Sequence, residues 1–122
     1  MAHVALEDDG VHISLSLADK VLAFSGSLRV PYTHVLKVLT DPVPDAWFRG
    51  IRIGTNLPGV KVAGTFITGE GNIFYDFHNP NKCLTLELQH DRYARIVVEV
   101  DSNQSPKQLQ QEIRERLGQP EA

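Results

Sequence analysis

The stretch from residue 47 to 61 holds the side chains of this sequence that are best suited to bind a ligand. Its cations Arg49, Arg52 and Lys61 occur with no acidic residue between positions 46 and 69. Guanidinium and ammonium groups bind carboxylates and phosphates, and nearby hydroxyl and amide groups add hydrogen bonds. The pattern therefore predicts a site for a small anionic ligand or a partner. The predicted binding residues are Trp47, Arg49, Arg52, Thr55, Asn56 and Lys61.

The same stretch also fits a plainer interpretation as a glycine-rich connection. Its arginines are then solvated, or they pair with the acidic turn at residues 7–9. Trp47 and Phe48 are open to two interpretations as well, because large rings serve either as core plugs or as exposed anchors for a partner chain. A core this small needs its few large rings, which favours the plug.

Asp76 and His78 are the residues that a small enzyme would most readily use. If they lie on a strand, they share one face, where a third group would complete a metal site. No histidine in the chain has a second histidine three to five residues away, and a solvated strand end is the plainer interpretation. Motifs for nucleophilic hydrolysis, phosphate loops, dinucleotide binding and paired cysteines are missing from the sequence. The sequence predicts no catalytic residue, no metal and no cofactor.

Charge and cysteine content limit the classes of partner. Twelve Lys and Arg against fifteen Asp and Glu give a net charge of −3, so nucleic acid is an unfavourable partner. The single cysteine, Cys83, cannot form an internal disulfide, and the acidic N-terminal residues do not resemble a secretory signal. No apolar run approaches the ~20 residues needed to cross a bilayer. A cytoplasmic location is expected.

The 122 residues suffice for one domain, and most of their patterns are those of strands. Residues 11–17 alternate apolar and polar side chains, and the turn at 7–10 joins them to the short run 3–6 as a hairpin. Further short strands are predicted within 28–30, 35–40, 61–68, 73–77, 83–88 and 93–100. Residues 43–59 are predicted to be irregular. About seven short strands with turns between them indicate an antiparallel sheet that closes, or nearly closes, into a barrel.

One helix is predicted after the strands, over about 106–117. Ser105 provides an N-cap hydroxyl, Pro106 occupies the first helical position, and Gly118 ends the helix. Apolar residues recur every four positions on one face, at Leu109, Ile113 and Leu117. Such a narrow stripe fits a single helix that docks on a sheet.

About seven antiparallel strands followed by one capped helix resemble the pleckstrin-homology (PH) fold. Residues 28–35 (LRVPYTHV) and 49–59 (RGIRIGTNLPG) are similar to stretches of small bacterial PH-like proteins. The resemblance continues through 63–66, 75–76 and 92–100, and so covers most of the chain. It implies a single PH-like barrel over residues 1–122, capped by the C-terminal helix. It also implies a binding module of unassigned role more than an enzyme.

One departure from eukaryotic PH domains limits what the resemblance implies. PH domains that hold phosphoinositides use basic residues in the loop between their first two strands. Here that loop contains Glu7, Asp8 and Asp9, whose carboxylates repel a phosphorylated headgroup. Phosphoinositide binding is therefore not expected.

The sequence thus predicts a non-catalytic intracellular PH-like binding or interaction module. Its expected partner is another protein or a second copy of the chain, because a partly open barrel leaves strand edges to share. The alternative is a small enzyme or ligand-binding barrel that uses the 47–61 loop or Asp76 and His78. Peripheral membrane binding is a weaker alternative that rests on fold analogy alone.

Overall fold

The described part of the molecule consists of two β-sheets and one helix. The computed structural model describes residues 2–16, 26–41, 51–57 and 61–118, with the backbone alone described at 51–57 and at Lys61. These residues form a sheet of three strands, a sheet of six strands and one α-helix. The mainly β architecture with a single C-terminal helix is therefore confirmed.

The smaller sheet is antiparallel and contains β1 (Ala2–Leu6), β2 (Gly10–Leu15) and β3 (Leu28–Pro31), in that order. β1 and β2 form the predicted hairpin, with Val4 opposite Ile13. Because side chains alternate along a strand, all three strands place apolar residues on one buried face. Glycine is required at position 10, since a Cβ there would collide with the carbonyl oxygen of Val30 on β3.

The larger sheet follows a short 3-10 turn at Tyr32–His34. Its strands are β4 (Val35–Leu39), β5 (Ile51–Leu57), β6 (Lys61–Thr68), β7 (Gly71–Phe77), β8 (Cys83–Leu88) and β9 (Arg95–Glu99). They are arranged in the order β4-β8-β9-β7-β6-β5. Four of the five strand pairs are antiparallel, and β7 and β9 are parallel.

The parallel pair arises because β9 lies between β7 and β8. The chain leaves β7, passes through the 3-10 turn Pro80–Lys82 and continues as β8 one position further across the sheet. β9 then turns back beside β8 and fills the position between them, with Ile73 opposite Arg95. The prediction of exclusively antiparallel pairing is wrong at this pair. Local alternation marks a strand, but it does not encode which strand becomes its neighbour.

The main core lies on the face of the larger sheet that packs with the smaller sheet and the helix. Its larger-sheet members include Phe74, Leu84, Leu86, Ile96 and Val98. The opposite face carries a second buried cluster formed by Phe66, Ile73, Tyr75, Phe77, Cys83 and Val97. Strands buried on both faces lose the simple alternation of apolar and polar residues, as Ile73 to Phe77 illustrates.

The helix α1 (Pro106–Leu117) has the boundaries that were predicted. The hydroxyl of Ser105 accepts a hydrogen bond from the Gln108 N–H at 3.3 Å, and Gly118 ends the helix in the left-handed conformation at φ 72°. Leu109 and Ile113 are buried against the sheets. Among the described residues, no helix is long and apolar enough to cross a membrane.

Three further predictions about the fold differ from the structure. The described residues contain nine strands where about seven were predicted, and they form two sheets instead of a closed barrel. In addition, residues 51–57 form β5, although 43–59 was predicted to be irregular. Glycine and proline on both sides concealed this strand, whose pairing with β6 supplies the backbone hydrogen bonds that its local sequence does not predict.

Candidate functional site

The predicted anion site at 47–61 is only partly within the described residues. Trp47, Phe48 and Arg49 lie outside them. The backbone of the remaining members belongs to the β5–β6 hairpin, and this corrects the prediction that they lie on a loop. The register places Arg52 opposite Phe66, Thr55 opposite Ala63, Asn56 opposite Val62 and Lys61 opposite Leu57.

That register divides the predicted residues between two faces of the larger sheet. Arg52 and Asn56 occupy positions on one face, because they are four residues apart on the same strand. Thr55, and Lys61 through its pairing with Leu57, occupy positions on the other. A strand alternates its residues, so these four cannot act together as one loop would.

Asp76 and His78 do not form a shared ligand pair. Asp76 lies on β7 and is completely buried, paired in register with Ala63 and Val98. His78 follows the end of β7 and is exposed. Within the described ranges, no group of three potential metal ligands is present. The plainer interpretation, a solvated strand end, therefore fits His78 but is wrong for Asp76.

A different region offers a cavity with polar walls. It lies between β3 and the loop at residues 89–94, which joins β8 to β9, and has a volume of about 250 Å³. The lining residues are Ser27, Leu28, Arg29, Val30, Asp91, Arg92, Tyr93 and Ile96. β3 is the only strand of the smaller sheet that contributes to this lining, so the cavity follows the edge of β3 that faces away from β2. We call it the β3 pocket.

Arg92 and Tyr93 form the cationic wall of the β3 pocket. An Arg92 guanidinium N–H donates to the Tyr93 hydroxyl at 2.7 Å, and the guanidinium carbon lies 4.7 Å from the centre of the Tyr93 ring. The ring is buried and packs against Phe74, with 5.7 Å between ring centres. A buried aromatic ring thus orients the exposed cation.

Asp91 fixes the backbone of the 89–94 loop. One carboxylate oxygen of Asp91 is 2.8 Å from Nδ1 of His34, and the other accepts the Tyr93 N–H at 3.3 Å. The His34 carbonyl in turn accepts the Gln89 N–H at 2.8 Å. Both oxygens of Asp91 therefore have partners other than the Arg92 guanidinium.

Arg29 lies along the wall of the β3 pocket, and its guanidinium pairs with Glu7 in the turn between β1 and β2. Its guanidinium is 2.8 Å from the Glu7 carboxylate, and the Arg29 side chain is 69% exposed. An ion pair this exposed is worth at most about 1 kcal/mol, so it holds the Arg29 side chain only weakly. Tyr32 holds the same turn, because its hydroxyl donates to the Glu7 carbonyl at 2.7 Å. Burial raises the pKa of Tyr32, while nearby Arg116 partly opposes this change, so the phenol remains a neutral donor.

The β3 pocket combines the Arg92 guanidinium with an apolar floor. Leu28, Val30 and Ile96 are buried parts of the main core where it borders the pocket. Carboxylates and phosphates match the hydrogen-bonding geometry of guanidinium, and the apolar floor accommodates a carbon chain. The chemistry that this geometry supports is binding of an anionic group.

Sequence reasoning missed the β3 pocket because its two walls are about 60 residues apart along the chain. The sequence predicts Tyr93 in the strand 93–100 and Arg29 in the short strand 28–30, with Arg92 directly before the first of these. The usable signal was Arg92 next to Tyr93 in a turn, since an aromatic and a cation in a loop often serve recognition. A scan against protein-family models, a search of curated proteins and a search of solved structures found no match to this chain.

Proposed function

We propose that this chain is a non-catalytic binding domain, related to PH-like domains, that holds an anionic group of a partner in the β3 pocket. The sequence resemblance to PH-like proteins supports a binding module, and the two-layer β fold is compatible with it. The cavity and the Arg92 guanidinium on its wall support the choice of site and of an anionic ligand. The proposal replaces the 47–61 stretch by the β3 pocket as the principal site.

The observation that carries the proposal is the state of Arg92. Its guanidinium is oriented by Tyr93 at the wall of a cavity, and it makes no ion pair with a carboxylate among the described residues. A guanidinium has five N–H donors, of which the Tyr93 hydroxyl uses one. An arginine whose position is fixed by a buried ring loses little conformational entropy on binding, which favours affinity for a carboxylate or a phosphate.

The experiment titrates the protein with two anions of different chemistry. N-acetylglutamate amide supplies one carboxylate, inorganic phosphate supplies the other anion, and backbone amide shifts in NMR spectra locate each of them. We expect shifts in residues 28–30 and 91–93, and at least about a ten-fold weaker affinity in Arg92→Gln, which corresponds to losing one charged hydrogen-bond pair.

Lys107→Gln is the matched control, because it removes the same charge from an exposed residue at the start of α1. This variant should bind as the unmodified chain does. If neither anion shifts the pocket residues, or if Arg92→Gln and Lys107→Gln behave alike, the proposed function is wrong.

A further inference from the structure

Resting on the proposed binding function, we infer that the partner is an extended acidic peptide segment that adds a fourth strand to the smaller sheet at the edge of β3. The free edge of a strand offers backbone N–H and C=O groups to an added strand. The β3 pocket provides that edge, together with room for side chains and charge for acidic residues.

The shape of the pocket wall supports strand addition. Four consecutive residues, Ser27 to Val30, line the cavity, so the wall is a length of backbone and not a set of scattered side chains. β3 ends the β1-β2-β3 sheet, and the strand beyond this edge is missing among the described residues. An added segment of four or five residues would match the length of β3.

The direction of the peptide groups supports the same inference. The Val30 carbonyl oxygen faces β2, because it is the atom that a Cβ at Gly10 would strike. Successive residues of a strand direct their peptide groups to opposite edges. The N–H and C=O of Arg29 therefore point away from β2, toward the pocket edge where an added strand would lie.

Burial and charge determine which sequence pattern fits the edge. Leu28 and Val30 are buried toward the core, whereas Arg29 between them is exposed. The side chains of an added strand alternate in the same way. One row then lies beside Leu28 and Val30, and the other row lies on the exposed face that carries Arg29. The partner is thus a segment in which apolar and acidic residues alternate.

A second copy of the chain is a poorer occupant of this edge. Pairing β3 with β3 of another copy would bring Arg29 of each chain close to the other, and like charges on paired strands are destabilising. A charged residue on an edge strand protects that edge against self-association.

The test uses the blocked pentapeptide acetyl-Val-Glu-Val-Glu-Val-amide as its probe and isothermal titration calorimetry as its measurement. The lysine analogue, acetyl-Val-Lys-Val-Lys-Val-amide, reports the charge requirement and should bind at least about ten-fold more weakly. Arg92→Gln should weaken binding of the acidic probe by a similar factor, and Lys107→Gln should leave it unchanged.

Two N-methylated versions of the acidic peptide test strand addition itself. One carries methyl groups on both glutamate nitrogens, and the other carries them on the nitrogens of the second and third valines. Since alternate N–H groups of a strand face opposite edges, strand addition requires one version to bind nearly normally and the other at least about ten-fold more weakly. Equal affinity of the two versions would overturn the inference.

The outcomes separate this inference from the proposed function. If N-acetylglutamate amide binds at Arg92 while the pentapeptide binds no more tightly, the anion site stands and strand addition is wrong. If neither probe binds, both proposals are wrong. If sedimentation equilibrium shows that the chain dimerises and that Arg29→Pro, which removes an N–H from the edge of β3, disrupts the dimer, the edge belongs to a second copy and the peptide is not its occupant.

Discussion

The loops at the two ends of β8 are each held by one carboxylate, yet they differ in what they leave open. Before β8, the Glu99 carboxylate accepts the N–H groups of His78 and Asn79, each at 2.8 Å. After β8, Asp91 holds the 89–94 loop through His34 and the Tyr93 N–H. Glu99 is buried, whereas the second loop borders a cavity of about 250 Å³ and exposes Arg92.

Similar chemistry thus closes one loop against the sheet and leaves the other beside an open cavity. Glu99 is the last residue of β9. One of its carboxylate oxygens accepts two backbone N–H groups from the connection between β7 and β8. The turn is thereby fixed to the strand that later fills the position between β7 and β8. Asp91 belongs to the 89–94 loop itself, and its carboxylate contacts the His34 imidazole and the Tyr93 N–H. Neither contact involves the neighbouring Arg92 guanidinium.

The largest expected effect comes from removing the Glu99 carboxylate, which holds the loop before β8. Glu99→Ala should lower the free energy of unfolding by about 3 kcal/mol, because two partly buried N–H groups lose the charged acceptor that a buried side chain provides. Urea denaturation measures the change. Glu115→Ala, at an exposed position of α1, is the control and should change stability by less than about 0.5 kcal/mol. Equal effects of the two substitutions would show that Glu99 does not hold the turn.

The second largest effect concerns β3, which forms one wall of the β3 pocket. Gly10→Ala should destabilise the chain by about 2 kcal/mol, because the added Cβ collides with the Val30 carbonyl oxygen and displaces β3. The control is Gly69→Ala, since a Cβ at Gly69 meets nothing within 4 Å. Thermal unfolding of both variants makes the comparison. A stable Gly10→Ala chain would mean that β3 moves freely, and strand addition at a fixed edge would lose support.

The buried face that carries Glu99 also carries Tyr75, and this makes stability sensitive to high pH. Burial raises the pKa of Tyr75 above its ordinary value of 10.0, so the unfolded chain loses this proton first. Stability is fully present below pH 10 and should then fall by about 1.4 kcal/mol per pH unit. Tyr75→Phe should flatten this dependence in urea denaturation between pH 8 and pH 11. An unchanged slope would show that the phenol is accessible to solvent.

The smallest expected effect comes from changing Asp91 in the 89–94 loop. Asp91→Asn should cost about 1 kcal/mol, because the His34 contact is partly buried. The matched control is Asp101→Asn, whose His3 partner is 3.1 Å away and 53% exposed. This control should cost almost nothing, as is usual for exposed ion pairs. If the two substitutions have equal effects in urea denaturation, His34 and Asp91 do not fix the 89–94 loop.

Local chemistry explains which elements were predictable. The helix at 106–117 has its cap and proline at the start and its glycine at the end, and the β1–β2 hairpin has an acidic turn followed by an alternating strand. Strand β5 was not predictable in this way, because its glycine-rich sequence gains its conformation from pairing with β6. The same holds for the residues predicted to bind at 47–61. The sequence shows which of them are cations, but not which face of the sheet each one occupies.

By itself, the sequence determined the class of the fold, the hairpins and the capped helix, since each depends on residues that are neighbours along the chain. Only the tertiary structure decided that β9 lies between β7 and β8, that 51–57 is a strand and that Arg29 and Arg92 border the same cavity. Such contacts join residues far apart in sequence, and many pairings satisfy the same alternation. The choice among them depends on the packing of the whole core.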